Sequence, residues 1–176
     1  MTEMNSGYKD NYREIYAKEL DITECPNLTL LSVDAPNLKK LALSNNMKLA
    51  SIEILDGNLT ELDASGNENL TTLRYYGGEL EYLKVTGCVN LNELSVYDNR
   101  LRSLDVSTNS SLTKLNCSGN LLETLDVSGC TKLTTLDCSP MESLETLYVG
   151  ASQKINYVTY NRSDNYIPAA TVIQTL

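Results

Sequence analysis

Apolar side chains recur along this chain in one pattern, Leu-x-x-Leu-x-(Val/Leu/Cys), from residue 28 to residue 160. Its middle residues are Leu31, Leu41, Ile52, Leu62, Leu73, Leu83, Leu94, Leu104, Leu115, Leu125, Leu136, Leu147 and Val158. The steps between them alternate between 10 and 11 residues until the last three, which are all 11. Two steps therefore span 21 residues, so each half of a 21-residue unit contains one motif.

Each motif alternates apolar and polar residues, as in residues 104–107, Leu-Asp-Val-Ser. This alternation is typical of a half-buried β strand. A 21-residue repeat with two such segments predicts a solenoid whose coils carry a short parallel strand on each of two sides. Counting back from Leu41 finds Leu20 and Cys25 in a degenerate first unit, which gives about seven coils. Because the two halves are nearly equal in length, we expect weak curvature.

An asparagine or a cysteine follows three residues after the last apolar position in many motifs. In one half of the coil these residues are Cys25, Asn46, Asn67, Cys88, Asn109 and Cys130, and in the other half they are Asn99 and Asn120. We expect them to point inward at the coil corners, where an asparagine amide hydrogen-bonds the backbone of the turn. Stacked copies then form a ladder in which the small cysteine replaces asparagine.

The consensus Leu-x-x-Leu-x-Leu-x-x-Asn resembles the leucine-rich-repeat motif. Residues 112–130, LTKLNCSGNLLETLDVSGC, resemble the 21-residue nested subclass, which is similar to repeats of secreted or surface proteins of Bacteroidetes. The resemblance covers residues 17–160 and implies an α/β leucine-rich-repeat solenoid, here mostly β. It also implies an extracellular or cell-surface location, although Met1–Asp10 lacks the pattern of a secretory leader and a cytoplasmic location stays open. The pattern departs from the family at the extra residue near Pro140 and Met141.

The ends of a solenoid need caps, because open coils expose apolar side chains. We predict an N-terminal helical cap over residues 1–19, the solenoid over residues 20–160 and a C-terminal cap over residues 161–176. The apolar residues of the first cap have helical spacing and are Tyr8, Tyr12, Ile15, Tyr16 and Leu20. The second cap starts near Pro168 as a short helix or strand.

The composition argues against several classes of function. The net charge is −9, with 14 Lys and Arg against 23 Asp and Glu, which argues against nucleic-acid binding. The absence of histidine removes every His-dependent triad, general base and metal site. No apolar run is long enough for membrane insertion. The five cysteines contain no Cys-x-x-Cys motif, so we expect reduced thiols and no metal or cofactor.

Residues 21 apart stack into outward columns, and one column places two carboxylates on neighbouring coils. These are Asp105 and Asp126, which are bordered by Ser107 and Ser128. The pair is compatible with a weak cation site or with the acid and base of a glycosidase. A solvated acidic strip is the simpler interpretation, because strand stacking alone places carboxylates in adjacent rows of many solenoids.

The other side of the coil carries the candidate binding face, which consists of Leu55, Tyr76 and Tyr97 in one column and Glu53 and Arg74 in the next. Exposed tyrosine with a central arginine is the composition of an interface hot spot, and stacked tyrosines also line carbohydrate-binding surfaces. The alternative is a cross-strand aromatic ladder that only stabilises the sheet.

The sequence therefore predicts a non-enzymatic recognition module that binds a protein or glycan partner through an outward strand face. We expect a monomer. No nucleophile–base pair, phosphate-binding loop or metal-ligand spacing occurs in the chain. A surface hydrolase that uses the paired aspartates and a purely structural spacer are the alternatives.

Overall fold

The chain winds into a β solenoid of about six turns, with a spacing of about 21 residues between neighbouring coils. The computed structural model describes residues 3–5, 16–138, 140–155, 157–159 and 172–175. Its strands are β1 (Glu3–Asn5), β2 (Glu19–Leu20), β3 (Leu30–Asp34), β4 (Lys40–Leu41), β5 (Ser51–Leu55), β6 (Glu61–Asp63), β7 (Thr72–Tyr76), β8 (Tyr82–Lys84), β9 (Glu93–Ser95), β10 (Lys114–Asn116), β11 (Thr124–Asp126), β12 (Thr135–Asp137), β13 (Thr146–Val149), β14 (Tyr157–Thr159) and β15 (Val172–Thr175).

One side of the solenoid is a single eight-stranded parallel sheet with the order β1-β3-β5-β7-β9-β10-β12-β14. Successive strands pair in register, so Leu31 lies opposite Ile52 and Ile52 lies opposite Leu73. The other side is divided into the sheets β2-β4, β6-β8 and β11-β13-β15. The predicted parallel strands on both sides are confirmed, but only one side is a continuous sheet.

The two sides differ in how continuously strand pairing joins neighbouring coils. On the divided side, β4 and β6 do not pair, and the chain around Leu104, between β8 and β11, forms no strand. Strand pairing therefore runs without interruption along the eight-stranded sheet but not along the divided side.

Inward side chains from both sides meet in one core that runs through the described coils. Leu94, Leu115 and Leu125 are at most 1% exposed, as predicted. Leu83 and Leu104, which the repeat predicts to be fully buried, are 9% and 7% exposed. Both border the interruption in the divided side, where missing strand pairing leaves a shallow groove beside them.

The predicted helical cap over residues 1–19 is not supported. The described residues contain no helix, and the described segments Glu3–Asn5 and Glu19–Leu20 are strands. β1 pairs in parallel with β3, because a sheet edge offers backbone hydrogen bonds that an added strand satisfies. Tyr16, which was expected on the apolar helix face, is 67% exposed. The rest of that face, within residues 8–15, lies outside the described residues.

The C-terminal segment adds a strand to the divided side. Val172–Thr175 forms β15 and pairs in parallel with β13, while residues 160–171 lie outside the described residues. The regular turns number about six rather than seven.

Buried asparagines hydrogen-bond the backbone at one corner of the coils, as predicted. Nδ2 of Asn46 donates to the carbonyls of Ile22 and Cys25 in the preceding coil, each at 2.9 Å. Nδ2 of Asn109 donates in the same way to the carbonyls 24 and 21 residues earlier, each at 3.0 Å. Each of these carbonyls also accepts a bond from the backbone N–H three residues later, so the amide is a second donor that links neighbouring coils.

Cysteine occupies this corner because the corner needs a donor but no acceptor. Sγ of Cys88 donates to the Ala64 carbonyl at 3.0 Å, and Sγ of Cys130 donates to the Val106 carbonyl at 3.4 Å. The oxygen atoms Oδ1 of the ladder asparagines are buried without a hydrogen-bond partner; these are Asn46, Asn67 and Asn109. A thiol therefore provides a donor, as the amide NH₂ group does, without burying an amide oxygen that has no partner. All five cysteines of the chain are free, as predicted.

Asparagine at the opposite corner uses both ends of its amide. Oδ1 of Asn99 accepts from the Leu80 N–H at 3.2 Å, and Oδ1 of Asn120 accepts from the Leu101 N–H at 3.0 Å. The Nδ2 groups of both residues donate to the Val96 carbonyl, at 3.1 and 2.8 Å. Because sulfur is a weak acceptor, cysteine is a poor substitute at this corner.

One coil earlier, glycine occupies this second corner and a tyrosine hydroxyl replaces the amide. The hydroxyl of the fully buried Tyr75 accepts from the Leu59 N–H at 2.9 Å and lies 3.3 Å from the Leu59 carbonyl, to which it donates. A Cβ atom at Gly57 or Gly78 would lie 2.8 Å from this hydroxyl. Burial raises the pKa of Tyr75 to about 12, so the phenol stays protonated. The two glycines make the space that Tyr75 fills.

A glutamine, which the repeat pattern does not reveal, continues the first ladder in the last described coil. Nε2 of Gln153 donates to the carbonyls of Val127 and Cys130, both at 2.7 Å, and its Oε1 accepts from the Gly150 N–H at 2.6 Å. The extra residue near Pro140 shifts the repeat along the chain, and the longer side chain of Gln153 still reaches the corner.

The hydroxyl of Tyr75 should contribute directly to stability. Tyr75→Phe removes the partner of both the N–H and the carbonyl of Leu59, so we expect the free energy of unfolding to fall by about 1–3 kcal/mol. Urea unfolding measures this change. Tyr82→Phe is the matched control, since Tyr82 is 62% exposed and should lose almost nothing. Equal stability of the two variants would contradict the role of the Tyr75 hydroxyl.

The two corners should respond differently to the same substitution. Asn109→Cys keeps a donor at a corner that needs only a donor, whereas Asn120→Cys leaves the buried Leu101 N–H without an acceptor. We therefore expect Asn120→Cys to lower the free energy of unfolding by about 1–3 kcal/mol more than Asn109→Cys. Chemical denaturation under reducing conditions measures the difference, and equal losses would show that the corners are equivalent.

Candidate functional site

The eight-stranded sheet brings together the residues of the candidate binding face. Glu53 pairs with Arg74, and Leu55 pairs with Tyr76, between strands β5 and β7. The rings of Tyr76 and Tyr97 are stacked, with centroids 4.6 Å apart and planes inclined by 26°. The structure therefore places all five residues in two neighbouring columns, in the arrangement that the 21-residue register predicts.

The apolar row is half-buried, whereas the sequence predicts that it lies in open solvent. Leu55, Tyr76 and Tyr97 are each partly covered by their neighbours along the column. The Tyr76 side chain also hydrogen-bonds Ser95, which is only 9% exposed although it is an outward strand residue. Burial raises the pKa of Tyr76 to about 12, so its hydroxyl remains protonated at neutral pH. The row is both a structural ladder and an accessible surface.

Arg74 is held between two carboxylates rather than projecting freely. Its Nη2 lies 2.8 Å from Oε1 of Glu93, and its Nε donates to the same oxygen at 2.9 Å. Its Nη1 lies 3.6 Å from Oε1 of Glu53. The 21-residue register does not reveal Glu93, because that residue is diagonal to Arg74, on the next strand and in the next column. The three side chains together carry a net negative charge.

The paired aspartates on the divided side are part of its local turns. Oδ1 of Asp126 accepts from the backbone N–H and the hydroxyl of Ser128, at 2.9 and 2.6 Å. Oδ1 of Asp105 accepts from the Ser107 N–H at 2.9 Å. Hydrogen bonds from Ser107 lower the pKa of Asp105. A glycosidase general acid requires the opposite shift, so the geometry does not favour the hydrolase interpretation.

The divided side also contains an opposite-charge pair, since Nζ of Lys84 lies 3.3 Å from Oδ2 of Asp63. Within the described part of the chain, no group of three or more cysteine, aspartate and glutamate side chains has the arrangement of a metal site. The same residues include no helix that is long and apolar enough to cross a membrane.

Neither the protein-family models nor the curated proteins match this chain. Among solved structures, the chain is similar to the functional domain of InlJ from Listeria monocytogenes, which includes a cysteine ladder. The two share 28% sequence identity with a TM-score of 0.58, and the match covers 80% of this chain and 39% of the other. The chain thus corresponds to about two fifths of the length of that structure.

The 21-residue spacing, the parallel strands and this match identify the class of the protein. Together they fit a leucine-rich-repeat protein, as the sequence motif indicates. Such a solenoid suggests a protein-interaction module. In this chain cysteine and asparagine share one corner ladder, with a thiol at Cys88 and Cys130 and an amide at Asn109.

The aspartates of the divided side should affect how stability depends on pH. Hydrogen bonds from Ser65 and Ser107 lower the pKa of Asp63 and Asp105 below 3.8. A lowered folded-state pKa adds stability above the unfolded pKa, and this contribution is lost as the pH falls through the folded pKa. We expect the free energy of unfolding to fall below about pH 4.

Urea unfolding over a series of pH values tests this expectation. In the double variant Ser65→Ala/Ser107→Ala, the decline at low pH should be shallower, because the hydroxyl bonds that lower the pKa are gone. Unchanged pH dependence in this variant would show that the two turns do not control the acid response.

Proposed function

We propose that this protein is a recognition module that binds a protein or glycan partner through its candidate binding face, Glu53, Leu55, Arg74, Tyr76 and Tyr97. The observation that carries the proposal is the stacked pair of Tyr76 and Tyr97 on the continuous sheet. Aromatic side chains supply large contact areas with little loss of conformational freedom, and they are enriched at binding hot spots.

The location of the pair supports this role. It lies on the side where eight strands are hydrogen-bonded without interruption, so the surrounding columns are held in fixed register. A rigid surface loses little entropy when a partner binds. The half-buried position of Tyr76, with its hydrogen bond to Ser95, fixes the ring before any partner arrives.

The natural setting that we propose is the outside of the cell or the cell surface. This proposal rests on the resemblance of the repeats to those of secreted and surface proteins, and on the similarity to the functional domain of InlJ. We further propose that the module acts as a monomer and uses no cofactor.

Removal of the outer ring of the stack should weaken binding. Tyr97→Ser deletes an aromatic contact at the end of the row, and we expect partner affinity to fall by about 1–3 kcal/mol. A panel of immobilised glycans and of secreted and surface proteins first identifies a partner, and titration of the variant then measures the loss.

Tyr82→Ser is the matched control, because Tyr82 is an exposed tyrosine on the divided side of the solenoid. It should retain the affinity of the unmodified protein. Thermal melting of both variants separates binding from folding. A Tyr97→Ser protein that melts at a lower temperature but binds the panel partner unchanged would show that the stack is only structural.

A further inference from the structure

The tyrosine stack ends at Tyr97, because the column continues with a small residue. The column that holds Leu55, Tyr76 and Tyr97 continues on the next coil with Ser118. The Ser118 hydroxyl donates to Oδ1 of Asn116 at 2.7 Å, and this bond keeps it low on the sheet. The outer side of the Tyr97 ring therefore has no large side chain of the same column beside it.

A carboxylate lies at this end of the stack. Asp98 directly follows Tyr97 and has a left-handed backbone, with φ of 54°. Its Oδ1 atom lies against the space where a Cβ atom of Gly119 would be, and Gly119 itself has φ of 63°. The side chain of Asp98 thus leans over the coil that carries Ser118. The end of the stack therefore combines an aromatic ring with the carboxylate of the next residue in the chain.

The same loop geometry occurs two coils earlier, but there the column is filled. Asp56 has φ of 49°, and its Oδ1 lies 3.3 Å from the Cβ position of Gly77. Beside it the column contains Tyr76, which pairs with Leu55. The end of the stack therefore differs in one respect. Its aspartate lies next to an aromatic ring that no large residue follows in the column.

The surrounding surface is acidic. The described outward residues of β3, β5, β7, β9, β10 and β12, together with the two aspartates with positive φ, include six carboxylates and two cations. The carboxylates are Asp34, Glu53, Asp56, Glu93, Asp98 and Asp137, and the cations are Arg74 and Lys114. Arg74 is already paired with Glu93 and Glu53. A positively charged partner is therefore complementary to this face, and a negatively charged one is repelled.

We propose that Tyr97 and Asp98, at the end of the stack, bind an arginine side chain of a basic protein segment. This inference rests on the proposed function of the candidate binding face and specifies its partner. A guanidinium group is planar and can continue the stack on the Tyr97 ring while it pairs with the Asp98 carboxylate. An uncharged glycan would gain the ring contact but would not need the carboxylates.

Acidity alone does not make this site, because the divided side of the solenoid is also acidic. There, Asp105 and Asp126 accept hydrogen bonds from the serines two residues later, and among the described residues no tyrosine stack accompanies them. The combination of stacked rings and a leaning carboxylate is what favours arginine on the continuous sheet.

The test compares two charge-neutralising variants that differ only in position. Asp98→Asn and Asp56→Asn each remove one negative charge, and asparagine tolerates the left-handed backbone at both sites. The probe is a fluorescein-labelled peptide of alternating glycine and arginine, titrated at physiological salt. We expect Asp98→Asn to weaken binding roughly tenfold, while Asp56→Asn remains within about twofold because it alters only the general field.

Two further probes identify the chemistry of the partner. A peptide in which lysine replaces arginine should bind several-fold more weakly, since it cannot stack as a plane. Cellohexaose and chitohexaose should not displace the arginine peptide. Equal losses in the two aspartate variants, or no binding of the arginine peptide, would overturn the proposal.

These outcomes also separate this inference from the proposed function. If Tyr97→Ser abolishes binding of a panel partner while the arginine peptide does not bind, the recognition face stands and the basic partner is wrong. If the hexasaccharides bind and are lost in Tyr97→Ser, the partner is a glycan. If neither variant affects any binding, both proposals fail.

Discussion

The structure depends on satisfying the backbone groups at the corners of each coil. A solenoid turns its chain sharply twice in every repeat, and each turn directs carbonyl and N–H groups into a dry interior, where an unpaired polar group is costly. Here inward side chains bond these groups. At one corner Asn120 and Tyr75 accept from backbone N–H groups, and at the other Asn46, Cys88 and Gln153 donate to carbonyls of the preceding coil.

Once the corners are satisfied, the outward positions are free to vary without affecting the core. The inward leucines set the register, and the register then aligns any outward residue with the one 21 positions later. Side chains 21 residues apart therefore form columns, whatever their type. This is why a tyrosine on each of two successive coils becomes a stacked pair. It is also why an aspartate 21 residues before a glycine leans over the next coil.

The sequence predicted the architecture well, because the repeat itself encodes the register. The pairing of Leu55 with Tyr76 follows from counting 21 residues, and so does the shared corner of Cys88 and Asn109. Counting could not reveal the salt bridge from Arg74 to Glu93, since that contact is diagonal and depends on side-chain rotamers. It also could not reveal the interruption around Leu104, because the motif there is intact while the strand pairing is not.

The ends of the chain illustrate the limit of local pattern more sharply. Glu3–Asn5 lies before the residues at helical spacing, and its three residues are too few for a periodicity that predicts a strand. The edge of a parallel sheet nevertheless favours such a strand, since it presents a row of unpaired backbone groups. Glu3–Asn5 pairs along this edge with β3. The demand for backbone hydrogen bonds that shapes every corner of the solenoid therefore also determines how its first strand is placed.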